Sequence, residues 1–125
     1  MRLLALALPS ACAAGPEHSL EVLATAYSSH EEQTDEHPFL AAWGDSLEPG
    51  MRAIAVSRDL VALGLSHNTR VRIDGLPGEY LVLDKMAKRW RKRIDIYMGE
   101  DIGAAKGWGV RRVRIHWRAA PPYGP

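Results

Sequence analysis

Short segments in which apolar and polar residues alternate dominate the chain after residue 19. Residues 69–74 show the pattern best, because Val71 and Ile73 fall on one face and charged residues fall on the other. A two-residue period is typical of a β-strand with one buried face. Apolar and β-branched runs bounded by turn residues predict five more strands, at residues 20–27, 52–56, 79–84, 93–98 and 113–117.

Glycines and capping residues predict how these strands are connected. The Gly-Leu-Pro-Gly sequence at residues 75–78 predicts a hairpin between the third and fourth strands. A helical turn closed by its final glycine is expected at residues 58–64. A second short helix is expected at residues 102–106, with Asp101 as its N-cap and Gly107 after its end.

Six short strands and two helical turns predict an all-β fold, and more specifically a small closed β-barrel. Closure gives every strand a partner on both edges, which removes the exposed edges that short strands would otherwise leave. The 125 residues, 46% of them apolar, suffice for one hydrophobic core. We therefore expect one barrel domain over residues 20–117 and a disordered proline-rich tail at residues 118–125.

Charge and cysteine content argue against several classes of function. The 16 Lys and Arg residues nearly balance 15 Asp and Glu residues, and at a net charge of +1 we expect no nucleic-acid partner. The sole cysteine, Cys12, excludes an internal disulfide framework and a multi-cysteine metal site. Residues 28–38 contain His, Asp and Glu without a recognised ligand spacing, so we predict neither a metal nor another cofactor.

The N-terminus has the order of regions that is typical of an export signal. Met1-Arg2 supplies a positive charge, residues 3–8 are apolar and residues 11–15 are mostly small. We therefore expect residues 1–15 to direct export, which places the protein in the periplasm or cell envelope. No later run approaches the roughly 18 apolar residues of a membrane-spanning helix, so no transmembrane segment is expected. We expect the protein to be a monomer.

Two aspartates stand where predicted strands meet loops. Asp84 ends the fourth strand, and Asp95 lies in the fifth strand, eleven positions later. Burial, or the charge of one acid, can raise the pKa of the other so that it holds a proton for general acid catalysis. The alternative is that the acids form ordinary surface salt bridges with neighbours such as Lys85 and Arg93, which would lower their pKa.

Six cations and one tryptophan crowd residues 85–93, called the basic loop below. This loop is either a clamp for an anionic polymer, with Trp90 stacking on a sugar or a base, or a solvated segment that offsets the acidic stretch before it. Residues 28–50 are expected to form a long loop, ordered by Phe39 and Trp43.

Several of these segments together resemble the 3D domain. The resemblance rests on Ala-Thr-Ala-Tyr at residues 24–27, Ile-Ala-Val at residues 54–56, the hairpin that ends in Asp84, Arg-Ile-Asp-Ile-Tyr at residues 93–97 and Trp-Gly at residues 108–109. The 3D domain is a double-psi β-barrel named for three aspartates. It occurs in MltA-type lytic transglycosylases and stationary-phase muralytic factors, and it is distantly similar to the RlpA and expansin barrels. The resemblance implies a six-stranded double-psi β-barrel with one or two short helices.

Two of the three aspartates of the 3D domain have counterparts in this chain. The second matches Asp84 and the third matches Asp95, whereas Ser57 stands at the position of the first, with Asp59 two residues later. In muralytic members a glycine-rich stretch follows the second aspartate, and here the basic loop replaces it. Tyr-Met-Gly-Glu-Asp at residues 97–101 resembles the small exported proteobacterial branch.

The resemblance implies a protein that acts on the glycan strands of peptidoglycan, as a lytic transglycosylase with Asp84 as acid and base and Asp95 as its orienting partner. The residues expected to bind the substrate are Thr25, Tyr27, Thr34, Trp43, Asp59, Lys85 and Arg93. The alternative is a module of the cell envelope that binds glycan or a partner protein without catalysis.

Overall fold

The structure, a computed structural model, describes residues 15–29 and 42–118. Six strands and two short helices follow one another along the chain. In chain order they are β1 (Glu17–Tyr27), β2 (Ala53–Val56), α1 (Arg58–Val61), β3 (Arg70–Ile73), β4 (Tyr80–Lys85), β5 (Arg93–Tyr97), α2 (Ile102–Trp108) and β6 (Arg111–Arg118).

The six strands close into one barrel in the order β1-β5-β2-β4-β3-β6. Two neighbouring pairs are parallel, β1 with β5 and β2 with β4, and the other four pairs are antiparallel. Both parallel pairs join strands that are distant in sequence. β2 lies between β4 and β5 because it pairs with both of them. The closed, mostly β architecture expected from the alternation is confirmed.

Inward-facing residues of all six strands fill the barrel. Alternation puts Val71 and Ile73 of β3 in this core, as the sequence predicts. The same alternation buries Ile94 and Ile96 of β5, and both lie in the core. The other members are Val22, Ala24, Ile54, Val56, Leu60, Leu65, Tyr80, Val82, Ile115 and Trp117. Burial of this continuous apolar set is the main stabilising contribution to the barrel.

The predicted elements are confirmed, with shifts at their ends. β1 begins three residues before the predicted strand and β6 runs through Arg118, because the two pair antiparallel over eight residues. The predicted tail therefore loses its first residue to β6. The second helix also runs two residues past its predicted end at Lys106, through Trp108. Asp101 caps it as predicted, accepting the N–H of Ala104 at 2.8 Å, and Gly109 follows its end with a positive φ of 70°.

Several predictions fall outside the described residues. The proposed export signal lies there except for residue 15, as do the remainder of the proline-rich tail, Phe39 and Thr34. Within residues 15–29 and 42–118, no helix has the length and apolar composition needed to cross a bilayer.

Truncation of one core side chain tests the barrel assignment. Ile96 is 1% exposed and contacts the core from β5, so Ile96→Ala should lower the free energy of unfolding by about 3–4 kcal/mol. The control is Val110→Ala, because Val110 is 61% exposed and its truncation should change stability by less than about 0.5 kcal/mol. Guanidinium unfolding measures both. Equal, small effects would contradict the placement of Ile96 in the barrel interior.

Candidate functional site

A row of four residues crosses the outer face of the barrel. Thr25 of β1 is opposite Asp95 of β5, Asp95 is opposite Ala55 of β2, and Ala55 is opposite Asp84 of β4. Cross-strand partners share a face of a sheet, and the inward positions beside them are filled by core residues. Thr25, Asp95, Ala55 and Asp84, called the acid row below, therefore lie side by side outside the core.

A β-bulge in β4 brings Asp84 into the acid row. Ile54 pairs with Val82, but the next residue of β2, Ala55, pairs with Asp84, so Leu83 is the extra residue. Strict alternation would place Asp84 on the same face as buried Val82, inside the barrel. The bulge turns Asp84 to the opposite, outer face. Sequence reasoning missed it, because no glycine or other bulge signal occurs between residues 79 and 85.

The strands of the two acids are not neighbours in the barrel, because β2 lies between them. Neighbouring strands lie about 4.8 Å apart, so the backbones of Asp84 and Asp95 are separated by about 10 Å. Only the methyl group of Ala55, itself 5% exposed, lies between them in the row. The two acids are close enough for the negative charge of Asp84 to raise the pKa of Asp95.

Asp95 is the acid of this site whose pKa is shifted. Its pKa is raised from 3.8 to about 6, chiefly because the carboxyl group is desolvated by burial, and the negative charge of Asp84 raises it further. Two effects oppose the rise: Thr25 Oγ1 donates a hydrogen bond to Asp95 Oδ1 at 3.1 Å, and the positive charge of Arg93 lies nearby. A carboxyl group in this state remains partly protonated close to neutral pH.

Asp84 has different surroundings. Its Oδ1 accepts the backbone N–H of Ala42 at 2.7 Å and that of its neighbour Lys85 at 2.9 Å. Hydrogen bonds from backbone donors favour the ionised form of a carboxyl group. The contact with Ala42 also joins the loop before β2 to the acid row.

Tyr27 brings a phenol to the same region. Burial raises its pKa, and the negative charges of Asp84 and Asp95 raise it further, so the phenol keeps its proton. Its hydroxyl is buried and has no hydrogen-bond partner among the described residues. A buried donor of this kind is costly to leave unpaired. Tyr27 thus presents a neutral donor close to both acids.

A second apolar cluster lies outside the barrel core. Leu47, Ala53, Leu83 and Tyr97 form it, and Tyr27 packs against them with its ring 5.5 Å from that of Tyr97. The hydroxyl of Tyr97 is in turn hydrogen-bonded to Ser29. Tyr97 follows Asp95 by two residues on β5, so this cluster borders the outer face on which Asp95 lies.

Trp43 and Lys85 meet beside the acid row, not within it. Trp43 stacks on His67 at 5.0 Å between ring centroids, and Lys85 Nζ lies 5.1 Å from the Trp43 ring. His67 Nε2 is held by Asp45 Oδ2 at 2.5 Å. Lys85 pairs with Val56, whose side chain enters the core, so it belongs to the opposite face from Asp84. Its ammonium group therefore packs on Trp43, which orders this end of the barrel.

Arg93 and Trp90 form the part of the basic loop nearest the acids. The Arg93 guanidinium lies over the Trp90 ring at 4.2 Å, and Arg89 contacts the same ring at 4.7 Å. Trp90 therefore already has two cation–π partners. The charge of Arg93 is one of the effects that limit the pKa of Asp95.

Ser57 and Asp59 do not enter the acid row. Ser57, at the position of the absent aspartate, is buried and accepts the N–H of Arg93 at 3.0 Å. Asp59 Oδ2 accepts the N–H of Lys92 at 3.0 Å. Desolvation opposes ionisation of Asp59, but hydrogen bonds from Ser57 and Lys92 outweigh it and lower its pKa. Both residues fix the start of β5. Thr34, the remaining predicted binding residue, lies outside the described residues.

No metal cluster occurs in the part of the chain that the structure describes, where no three His, Cys, Asp or Glu side chains converge. A comparison with protein-family models finds no match to this chain. A search of curated proteins finds no match either.

Replacement of Asp95 should stabilise the protein in a pH-dependent way. The folded state binds the proton of Asp95 more tightly than the unfolded state does, so stability falls as pH rises from 3.8 to about 6 and stays reduced above it. Asp95→Asn mimics the neutral form. It should add about 2–3 kcal/mol to the free energy of unfolding at about pH 8, and little at about pH 4.

Denaturant unfolding at the two pH values measures this effect. Glu79→Gln serves as the control, since Glu79 is a half-exposed acid whose contact with Arg70 at 3.5 Å should contribute little. A gain for Asp95→Asn that is the same at both pH values would contradict the raised pKa.

Proposed function

We propose that the protein acts on the glycan strands of peptidoglycan, as a lytic transglycosylase whose general acid lies in the acid row. The observation that carries the proposal is the raised pKa of Asp95 beside a second carboxylate, Asp84, at a half-buried outer face of the barrel. Pairs of carboxyl groups whose surroundings separate their pKa values are typical of enzymes that cleave glycosidic bonds.

The fold supports the proposal at the level of class. The barrel is closed and six-stranded, with two parallel pairs between strands distant in sequence, which fits the double-psi β-barrel of the 3D domain. Asp84 and Asp95, the two positions that match aspartates of that domain, lie in one row of this barrel. The basic loop and Ser57 depart from the pattern of the domain, so we infer that the cleft around these acids has a different lining.

The proposed reaction needs one proton and no water. The protonated carboxyl group gives its proton to the oxygen that links N-acetylmuramic acid to N-acetylglucosamine, and the bond from that oxygen to the muramic acid C1 breaks. The 6-hydroxyl group of the same sugar attacks C1, and its proton passes to the carboxylate. The products are a 1,6-anhydro sugar and a free hydroxyl group, and the acid returns to its starting state.

We assign the proton-holding role to Asp95, in place of the Asp84 favoured by the sequence resemblance. Asp95 has the raised pKa, whereas Asp84 accepts two backbone N–H groups that favour its charged form. A fixed negative charge beside the site stabilises the positive charge that develops on the sugar ring in the transition state. Asp84 supplies that charge in the proposal, and Thr25 orients the carboxyl group of Asp95.

Tyr27 completes the proposed set. Its buried phenol keeps its proton and lies near both acids, so in the proposal it adds an uncharged group to their surroundings.

Activity against purified peptidoglycan tests the proposal. Wild type should release 1,6-anhydro products, detected by mass spectrometry, and Asp95→Asn should be slower by about 100-fold or more because the acid is gone. Activity should fall by about tenfold per pH unit above about 6, as the carboxyl group ionises. Since Asp95→Asn is expected to be more stable than wild type, its inactivity would not reflect unfolding.

The control for charge is Glu79→Gln, which should keep wild-type activity because Glu79 lies outside the acid row. Full activity of Asp95→Asn, or products that have gained water, would contradict the assignment. Wild-type protein that binds peptidoglycan without releasing any product would instead establish the alternative, a non-catalytic binding module.

A further inference from the structure

An open groove of about 430 Å³ runs along the outside of β1. It is lined by Ser19, Leu20, Glu21, Val22, Leu23, Arg91, Lys92, Arg112 and Arg114. Four of these nine residues are cations and one is an acid. The groove, called the β1 groove below, therefore has an excess of positive charge in a chain whose net charge is only +1.

The β1 groove leads to the acid row. Along β1 the residues facing outward alternate with the buried Val22 and Ala24, so Glu21 and Leu23 share a face with Thr25. Thr25 is a member of the acid row, and it follows Leu23 by two residues, or about 6.6 Å along the strand. A polymer lying along β1 would pass from the groove directly to the two acids.

Cations stand on both sides of this path. On the β6 side, Arg112 is opposite Leu23 and Arg114 is opposite Glu21. On the other side, the carbonyl of Lys92 accepts the N–H of Leu23 at 3.1 Å, which brings the end of the basic loop against β1. Arg91 precedes it. All four cationic residues are exposed to solvent.

The contacts that these cations already make leave them able to bind a ligand. Arg112 lies 3.9 Å from Glu21 in an exposed pair, which contributes little and leaves most of its five donors uncommitted. Arg114 donates to Ser19 Oγ at 3.3 Å, a long contact. Neither interaction neutralises the groove.

The backbone of Lys92 is held in a conformation that a lysine rarely adopts. Its φ is 47°, in the left-handed region, where a side chain is disfavoured. Two hydrogen bonds fix it there, one from its N–H to Asp59 and one to its carbonyl from Leu23. Strain that the surroundings impose on one residue is a pointer to function. Here it directs the end of the basic loop along β1.

We propose that the β1 groove binds the carboxylate groups of a peptidoglycan strand whose sugars extend to the acid row. This inference rests on the proposed function and names the feature of the substrate that positions it. Asp59, which holds Lys92, is then a positioning residue for the groove.

The arrangement of charges favours a carboxylated glycan over a nucleic acid. A nucleic acid carries a negative charge at every nucleotide, so a strand leaving the groove would bring phosphates against Asp84 and Asp95. A glycan carries its carboxylates on side branches, separated by neutral sugar rings. Its charged branches can occupy the groove while a neutral ring lies over the acids.

Binding to insoluble peptidoglycan, measured by co-sedimentation, tests the inference. The protein carries Asp95→Asn throughout, so that the substrate is not consumed. Two preparations are compared, native peptidoglycan and peptidoglycan whose carboxyl groups have been converted to methylamides. Arg112→Gln with Arg114→Gln should bind native material about fivefold more weakly, and this difference should disappear with amidated material.

The matched control is Arg70→Gln with Lys106→Gln, which removes the same charge from residues that do not line the groove. It should bind as the parent does. Added salt should weaken the binding of the parent to native peptidoglycan more than it weakens the binding of the groove variant. Equal binding by all three proteins, or equal binding to native and amidated material, would overturn the inference.

Two further outcomes distinguish a failure of the groove proposal from a failure of the proposed reaction. A groove-dependent preference for native material, with no product from wild type, would uphold the groove and reject the transglycosylase reaction. Product release by wild type, with no effect of Arg112 and Arg114 on binding, would do the opposite. A competition experiment compares a single-stranded oligonucleotide with soluble peptidoglycan fragments. If the oligonucleotide displaces the protein from peptidoglycan at the lower concentration, the inference is overturned in favour of nucleic acid.

Discussion

The proposed chemistry depends on one constraint, the placement of β2 between the strands that carry the two acids. Ala55 of β2 pairs with Asp84 on one side and Asp95 on the other, and the bulge at Leu83 turns Asp84 to the face on which Asp95 already lies. A regular β4 would direct Asp84 to the face of buried Val82, inside the barrel. The barrel thus brings two like charges close without a direct strand pairing between them.

The surroundings of the two acids divide their roles. Asp84 accepts two backbone N–H groups, whereas burial desolvates Asp95 and raises its pKa to about 6. In the proposed reaction Asp95 holds the proton and Asp84 is the electrostatic stabiliser beside it. The β1 groove extends the same outer face, and in the proposal it binds a long substrate away from the acids while one bond lies over them.

Much of the fold could be predicted from the sequence, because alternation and turn residues act locally. The six strands, the β3–β4 hairpin and the Asp101 cap were all predictable on that basis. The candidate site was harder to predict from the sequence. Strand order depends on which distant segments pair, so neither the position of β2 nor the register opposite Ala55 can be obtained from local pattern. The bulge has no glycine that would signal it, and the burial of Asp95 depends on tertiary packing, which a local pattern does not predict.

The most direct test of this account is the titration of the Asp95 carboxyl carbon by NMR, in wild type and in Asp84→Asn. The account predicts a pKa of about 6 in wild type, and a lower pKa in the variant because one negative neighbour has been removed. The decrease should be partial, since burial is the larger cause. An Asp95 pKa near the ordinary value of 3.8 in both proteins would contradict the central claim that this acid holds a proton.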